Sequence, residues 1–318
     1  MIKTLRLAQF STLLVAFFFS WTGAQTQGAE TKLAEIVIQA EIPRNGDFLG
    51  FGFGSLWMMS DKGLARVNPE GNSITDINIE GAIGPYRGIA IGEGAVWIPA
   101  VGSQTIYKVD PGNNEVVLKV ASDFRGGEGS IGIGEGAVWI LTAEDHNKTL
   151  ARYNSSSGKM EASIALPAPC AGVIVDFGSV WVTAMTKGFL YRVDPQTNTI
   201  ASTVAIESGA RFLTSGEGSI WMLNYLDGTV RRVDAQGGDV RAAIPTMAIG
   251  NGGDIATGGG FVWVTSLRVP VIKIDPKTNT VAGSFRAPTG KSMGDAIRYG
   301  NGSLWVSGPS IFRILPPK

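Results

Sequence analysis

Residues 178–200 read GSVWVTAMTKGFLYRVDPQTNTI, and variants of this segment recur along most of the chain. A glycine precedes a short apolar run that contains a tryptophan, and a second alternating run ends in Asp-Pro before a third run begins. Alternation of apolar and polar residues is typical of half-buried β-strands, and Asp-Pro is typical of a turn. The segment therefore predicts three consecutive short strands joined by tight connections.

A tryptophan marks each copy of this segment, at spacings of 40 or 42 residues. A glycine lies three positions before each tryptophan, an aliphatic residue lies eight positions before it, and an arginine or lysine follows in the next alternating run. The seven tryptophans are Trp57, Trp97, Trp139, Trp181, Trp221, Trp263 and Trp305. A repeat of about 40 to 45 residues that holds four strands is the signature of a β-propeller blade. We expect the tryptophans to pack between blades, and the basic residues to cover apolar surface or pair with acidic turns.

Seven copies predict an all-β protein, a seven-bladed β-propeller of four-stranded antiparallel blades over residues 35–318. The last copy has room after Trp305 for only one more strand, at residues 311–315. Residues 35–42 alternate like the fourth strand of the other copies and precede the first inner strand. We therefore expect this N-terminal strand to join the last blade and close the ring, which removes an exposed sheet edge.

The N-terminal residues have the pattern of a secretory signal peptide. Lys3 and Arg6 precede an apolar stretch over residues 10–21, and small residues follow it. We place cleavage after Ala24, which gives a signal peptide over residues 1–24 and a linker over residues 25–34. Cleavage after Ala29 and an uncleaved anchor are the alternatives. The sequence thus predicts a periplasmic or secreted protein with no transmembrane segment after cleavage.

Composition excludes several kinds of function. Lys+Arg and Asp+Glu both number 27, so there is no basic excess to attract nucleic acid, and we expect no nucleic-acid partner. The single cysteine, Cys170, excludes an intramolecular disulfide and a thiolate zinc cluster, and the single histidine, His146, excludes mechanisms that need two imidazoles. Cys170 is a candidate nucleophile, but without a paired histidine we interpret it as a small buried apolar residue.

The string LYRVDPQTNTI at residues 190–200 returns as IKIDPKTNTV at residues 272–281. This pattern resembles the secreted bacterial seven-bladed propellers grouped with virginiamycin B lyase and the YVTN-repeat proteins, and the likeness covers essentially all of the chain after the leader. The resemblance implies a propeller fold. For activity, the group includes a magnesium-assisted lyase that opens a cyclic depsipeptide and many proteins with no established reaction. The lyase relies on histidine and acidic side chains at the channel mouth, whereas this sequence offers only His146.

Charged residues recur where the inner strands are expected to begin, ten positions before a tryptophan: Asp47, Arg87, Arg211 and Asp295, with Asp254 one position further on in its own blade. In propellers these positions share the face that usually carries the ligand site. Carboxylate oxygens of Asp47, Asp254 and Asp295 are suited to a divalent metal such as Mg²⁺ or Ca²⁺. Arginine at positions 87 and 211 is suited to a carboxylate or phosphate. Alternatively, these charges are solvated or pair with one another.

His146 and Glu128 lie in loops of the same face and are the candidate groups for moving protons. His146 sits in a long polar loop, where a solvated histidine is the competing interpretation. Aromatic residues in or beside these loops are expected to line a rim that suits a peptide or a small molecule: Tyr86, Phe124, Phe212 and Tyr225. Of these we assign ligand binding to Tyr86 and Tyr225, together with Arg87 and Arg211.

The sequence therefore predicts an exported propeller that binds a small molecule, a peptide or an envelope protein at its channel mouth, without obligatory catalysis. The alternative is a metal-assisted lyase or lactonase that resembles virginiamycin B lyase, with His146 or Glu128 moving protons. An accessory scaffold for an envelope complex is a third possibility.

Overall fold

Seven antiparallel sheets surround a central channel in the computed structural model, which describes residues 33–82, 88–143, 146–250 and 252–318. The innermost strands contact one another in a closed cycle, from the first blade through the seventh and back to the first. The all-β seven-bladed fold expected from the repeat is confirmed. The predicted signal peptide and most of the predicted linker lie outside the described residues.

Each blade has four strands, named A to D from the channel outwards. Two strands come from the N-terminal residues: β2 (Ile38–Ile42), which is strand D of blade seven, and β1 (Ala34–Glu35), which is additional to the four strands of blade six. Blades one to three are β3 (Gly46–Gly52), β4 (Ser55–Ser60), β5 (Gly63–Val67) and β6 (Ile74–Ile77); β7 (Ala90–Gly92), β8 (Ala95–Ala100), β9 (Thr105–Val109) and β10 (Val116–Ala121); and β11 (Ile131–Gly134), β12 (Ala137–Leu141), β13 (Thr149–Asn154) and β14 (Met160–Ala165). Blades four and five are β15 (Gly172–Asp176), β16 (Ser179–Ala184), β17 (Phe189–Asp194) and β18 (Thr199–Ala205); and β19 (Ala210–Gly216), β20 (Ser219–Asn224), β21 (Thr229–Asp234) and β22 (Val240–Pro245). Blade six is β23 (Ile255–Gly258), β24 (Phe261–Val264), β25 (Val271–Asp275) and β26 (Thr280–Arg286), and blade seven begins with β27 (Ile297–Gly300), β28 (Ser303–Val306) and β29 (Ile311–Ile314).

Helix is almost absent from the described residues. A 3₁₀ turn, Val101–Ser103, connects two strands of the second blade. No helix in the described part of the chain is long and apolar enough to cross a membrane.

Two-residue turns between strands A and B set the twist of each blade. In the second blade Glu93 and Gly94 both have positive φ, 50° and 72°. Hairpin turns whose twist matches that of the flanking strands need positive φ at both central residues, and glycine adopts it without steric cost. This requirement explains the glycine three positions before each tryptophan.

The tryptophans fill the spaces between blades, as predicted. All seven repeat tryptophans are at most 1% exposed. Trp181 shows the pattern: its side chain packs with Ile220 and Met222 of the following blade. Its indole N–H donates to the Asp176 carbonyl at 3.2 Å, and the corresponding bond is present in each of the other blades. The ring therefore buries its large apolar area without leaving a buried donor unpaired.

In each blade an arginine or lysine of strand C lies against the tryptophan ring, and its side chain extends to the next blade or the C-terminal tail. The Arg232 guanidinium carbon lies 4.8 Å from the Trp221 ring centroid. Its Nη1 donates to the Pro276 carbonyl at 2.6 Å and to Asn279 Oδ1 at 2.8 Å, both in the turn between strands C and D of blade six. Equivalent bonds to a backbone carbonyl of the next blade or C-terminal tail join Arg66 to Pro111, Lys108 to Ser155, Arg152 to Pro195, Arg192 to Gln236, Lys273 to Pro317 and Arg313 to Pro69. Of the two expected roles, covering apolar surface is confirmed, because each cation lies over the tryptophan ring of its blade. The partners in the next blade are mainly backbone carbonyls rather than acidic turns.

The N-terminal strand closes the ring, but not as one continuous strand. β2 pairs antiparallel with β29 and completes the seventh blade. β1 instead pairs parallel with the end of β26 and adds a fifth strand to the sixth blade. Ile36, which is 3% exposed, lies between the two strands and packs in the cluster that joins these blades. The predicted strand over residues 35–42 is therefore divided because the chain crosses from one blade to the next at this residue.

The hydrogen bonds that Arg232 donates to the next blade should contribute measurably to stability. We expect Arg232→Ala to lower the free energy of unfolding by about 2–3 kcal/mol, because it removes a charged donor from two partly buried acceptors and from the face of an indole. Arg241→Ala is the matched control: Arg241 is half-exposed and pairs only with Asp234 and Asp239 at the surface, so its loss should cost less than about 1 kcal/mol. Urea denaturation measures both changes, and equal losses would contradict this role of Arg232.

Candidate ligand site at the channel mouth

Two β-bulges direct side chains into the channel. The register of strand A shifts between Asp47 and Leu49 in the first blade, and between Ala210 and Phe212 in the fifth blade. A bulge inserts one extra residue and redirects the side chains beside it. Each bulge brings a charged residue and a phenylalanine to the channel, Asp47 with Phe48 and Arg211 with Phe212. Both charged residues were predicted at this face.

The top face is the face formed by the loops that join strand D to strand A and strand B to strand C. At its centre lies an open cavity of about 390 Å³, which we call the mouth. It is lined by Asp47, Glu128, Arg211, Phe212, Tyr225, Leu267 and Asp295, together with two glycines. Two smaller cavities adjoin it, of about 10 Å³ and about 100 Å³, and Phe48 and Phe212 line both of them. The two phenylalanines therefore lie next to the mouth.

Asp47 is the most deeply buried carboxyl of the mouth, with 7% of the residue exposed. Burial raises its pKa to about 8, and the negative charges of Asp295 and Glu128 act in the same direction. The Phe48 N–H donates to Asp47 Oδ1 at 2.7 Å, and a side-chain hydrogen bond joins Asp47 to Glu128. Asp47 thus holds a proton at neutral pH and shares it with Glu128.

Glu128 and Asp295 complete the acidic wall. Burial raises the pKa of Glu128, and the Arg211 guanidinium opposes this shift from 3.1 Å, measured between Nη2 and Oε2. Burial also raises the pKa of Asp295, reinforced by the charge of Asp254. The mouth therefore contains three carboxyl groups whose ionised forms are disfavoured and, among the described residues that line it, a single cation, Arg211.

A second ion pair lies deeper in the channel. Asp254 accepts hydrogen bonds from the Ile255 N–H at 2.8 Å, from the Ile297 N–H at 3.2 Å and from the Arg298 guanidinium. The Arg298 guanidinium carbon also lies 5.4 Å from the Phe48 ring centroid. This pair joins blades six and seven, and Asp254 shares a small cavity with Asp47, Glu128 and Asp295 of the mouth.

Sequence reasoning missed Arg298 and Phe48. Arg298 lies seven positions before its tryptophan, where the other blades carry Gly50, Ala90, Gly132, Ile174, Thr214 and Ala256. A long charged side chain among these small or uncharged residues was a signal that could have been read. Phe48 gave no such signal, because it reaches the channel through a bulge that no spacing rule predicts.

No protein-family model matches the sequence, and no curated protein matches it. Solved structures do match. Selenomethionine-substituted virginiamycin B lyase from Staphylococcus aureus has a TM-score of 0.69 and 16% identity, over 90% of this chain and 99% of that one. A streptogramin B lyase has a TM-score of 0.72 and 16% identity, over 88% of this chain and 96% of that one. The WD40 propeller domain of Doa1 has a TM-score of 0.69 and 12% identity, over 89% of this chain and 97% of that one.

The chain shares the fold of virginiamycin B lyase. A catalytically inactive histidine-to-alanine variant of that lyase from Staphylococcus aureus, with quinupristin, also matches, with a TM-score of 0.71 and 13% identity over 89% of this chain and 99% of that one. Identities this low establish the fold of this propeller and leave its activity to its own residues.

The mouth brings together five of the predicted site residues: Asp47, Glu128, Arg211, Tyr225 and Asp295. Asp254 lies below them. Tyr86 and Arg87 lie outside the described residues, so their predicted roles stay predictions.

His146 and Phe124 lie elsewhere. His146 is exposed in its loop and is not among the residues that line the mouth of this lyase-like propeller, so its catalytic role stays a prediction. Phe124 was expected at the rim but is 1% exposed, because it packs in the core between blades two and three.

The acidic residues do not form a ready metal centre. In the described part of the chain, no group of three or more His, Cys, Asp and Glu side chains has an arrangement that could hold a metal ion. Both carboxylate oxygens of Asp254 already accept hydrogen bonds, from Arg298 and from two backbone N–H groups. The Asp254 carboxylate is therefore already engaged by three donors, and its predicted role as a metal ligand stays a prediction. A divalent ion held by Asp47 and Asp295 stays a prediction.

Cys170 behaves as the buried apolar residue expected from the sequence. It is 5% exposed, and its Sγ donates to the Ala168 carbonyl at 3.2 Å. Burial raises the pKa of its thiol to about 12. The thiolate needed for nucleophilic attack is therefore not formed near neutral pH.

The mouth carboxyls should make stability depend on pH. A carboxyl whose pKa is higher in the folded than in the unfolded chain stabilises the fold below the unfolded value, and this stability is lost as the pH rises through the folded value. For Asp47 the window runs from 3.8 to about 8. As the pH rises from about 5 to about 9, the free energy of unfolding should fall in the wild type and in Asp47→Asn by different amounts. We expect the fall to be larger in the wild type by at least about 1.4 kcal/mol, which corresponds to a shift of one pKa unit. Urea denaturation across this range measures the difference, with the exposed-site variant Asp239→Asn as control; parallel profiles for wild type and Asp47→Asn would refute it.

Proposed function

We propose that this chain is an exported, periplasmic or secreted binding protein whose mouth holds the positively charged group of a small molecule or peptide. The observation that carries this proposal is the grouping of three carboxyl groups on the wall of one open cavity: Asp47, which is buried, and Glu128 and Asp295, which are partly buried. Export rests on the basic and apolar pattern of the leader.

The energetics of the mouth favour a cation. Ionising several carboxyl groups together in a partly buried cavity costs free energy through desolvation and mutual repulsion. An ammonium or guanidinium group placed among them would reverse both effects and displace the proton held on Asp47. The Tyr225 ring lines the same cavity, and aromatic rings attract cations to their faces. The Phe212 ring already has such a partner, because the Arg211 guanidinium carbon lies 4.8 Å from its centroid.

The fold is compatible with ligand binding at this position. Propellers carry ligand and partner sites where inner strands and loops meet at the channel, and one structure of the same fold was solved with quinupristin. That ligand belongs to that protein, and the proposal for this chain rests on the mouth residues.

A lysine side chain is a suitable probe of the mouth. We expect N-acetyl-lysine methylamide to bind, and its uncharged norleucine analogue to bind at least about tenfold more weakly, as measured by isothermal titration calorimetry. Because bound cation replaces a proton, affinity should rise between about pH 6 and pH 8.5, and the heat of binding should vary with the ionisation enthalpy of the buffer.

Asp295→Asn should weaken lysine binding by about tenfold or more, because it removes one buried acceptor of the cation. The matched control is Asp239→Asn, since the Asp239 side chain is 72% exposed on the outer strand connection of blade five. Equal binding of the charged and uncharged probes, or an Asp295→Asn affinity equal to that of the control, would refute a cation site in the mouth.

A lyase or lactonase reaction is the second candidate, and one observation favours it. Asp47 keeps a proton near neutral pH and is hydrogen-bonded to Glu128, an arrangement suited to general acid catalysis. This second function predicts that the protein opens the ring of a cyclic ester such as γ-butyrolactone, and that Asp47→Asn abolishes this activity. A pH-stat titration with and without Mg²⁺ measures the reaction. Turnover that is absent under both conditions, or unaffected by Asp47→Asn, would leave binding as the function.

A further inference from the structure

Large apolar side chains are exposed on the top face beside the mouth. Leu226, Met247, Ile249 and Leu267 are 57%, 57%, 52% and 67% exposed. They belong to the loops of blades five and six, where polar residues would be expected. Clustered exposed apolar side chains of this size mark interaction sites more often than scattered ones do. We call these four residues the apolar rim.

The loops that carry the apolar rim are held together. The Gly250 N–H donates to the Tyr225 carbonyl at 3.2 Å, which ties the loop of Ile249 to the loop of Leu226. Ile249 lies over Gly228, where an added Cβ would come within 2.7 Å of its Cγ1. Leu267 lies over Gly252 in the same way, at 3.2 Å from such a Cβ to its Cγ. The apolar rim is therefore a fixed part of the top face rather than four unrelated side chains.

Leu267 connects the apolar rim to the acidic mouth. It lines the mouth together with Asp47 and Asp295, and the same three residues line a neighbouring cavity of about 320 Å³. Asn45 and Ser292, which are exposed, also line that second cavity and offer an amide and a hydroxyl group. A ligand can thus run from one cavity across Leu267 into the other, with the carboxyl groups of Asp47 and Asp295 and an apolar edge along its path.

We propose that the top face docks an extended segment of a partner polypeptide, in which a lysine or arginine enters the mouth and large apolar side chains beside it pack on the apolar rim. This inference rests on the proposed cation site and adds the class of ligand. Charge complementarity selects the basic residue, and the apolar rim selects its neighbours. The amide and hydroxyl groups of the second cavity provide hydrogen bonds for peptide backbone, which a simple amine does not have.

Matched peptides test the inference. The first is a fluorescein-labelled, end-blocked pentapeptide with the core lysine-leucine-leucine; in the second the two leucines are replaced by serine. By fluorescence anisotropy on the full chain, the leucine peptide should bind at least about tenfold more tightly than the serine peptide. The double variant Ile249→Ser and Leu267→Ser should reduce this ratio to below about threefold. Val240→Ser is the control, since Val240 is 43% exposed on an outer strand, and it should leave the ratio unchanged.

The outcomes separate the inference from the proposed function. If the two peptides bind equally, or if the double variant keeps the full preference for leucine, the docking surface is refuted while a cation site in the mouth stands. If hexylammonium competes as effectively as the leucine peptide, the ligand is a small amphiphilic amine and the polypeptide assignment is overturned. If neither peptide nor hexylammonium binds, the cation site itself fails. A tenfold preference that is lost in the double variant and kept in Val240→Ser supports docking of a polypeptide.

Discussion

Every other feature of this protein depends on the contact between one blade and the next. A buried indole provides the apolar area of that contact, and a cation above the indole donates to a backbone carbonyl of the following blade. Arg232 makes this bond between blades five and six, and Arg313 makes it between the last blade and the first. Dispersion and apolar burial supply most of the free energy, while the directional bonds help to fix the angle at which blades meet. Because the contact is repeated around the circle, the inner strands form a closed channel.

The closed channel creates the chemistry of the mouth. Asp47, Glu128 and Asp295 come from different parts of the chain and become neighbours only because their strands or loops end at the same point of the ring. The surrounding strands and loops partly remove these carboxyl groups from water, and Asp47 is only 7% exposed. Repulsion and desolvation then keep protons on groups that would otherwise be ionised. A site of this kind favours a cation and couples its binding to pH, which is the basis of the proposed function.

The repeat made the architecture predictable because each blade buries the same residue types at the same positions. Trp57 to Trp305 gave the number of blades, and the incomplete last copy gave the closure by the N-terminal residues. The inner-strand positions also led to Asp47, Arg211 and Asp295, since strands that begin at one face bring those positions together. Phe48 and Arg298 were missed because a bulge and a contact across two blades decide where they lie. Phe124 was misjudged because loop residues near the channel can pack inwards as well as outwards.

The amino-acid sequence by itself determined the all-β class and the seven blades, because these follow from local periodicity and the spacing of a single indole. The face on which charged residues gather was inferred by analogy with other propellers. Only the tertiary structure decided which charges are paired and which stay available. Asp254 is taken up by Arg298 and two backbone N–H groups, whereas Asp47 shares a proton with Glu128 beside an open cavity. Asp47 and Asp254, which occupy neighbouring positions of the repeat, thus have two different environments. The physical reason is that desolvation and hydrogen bonding depend on what surrounds a carboxyl in space, and that information is held by the closed ring.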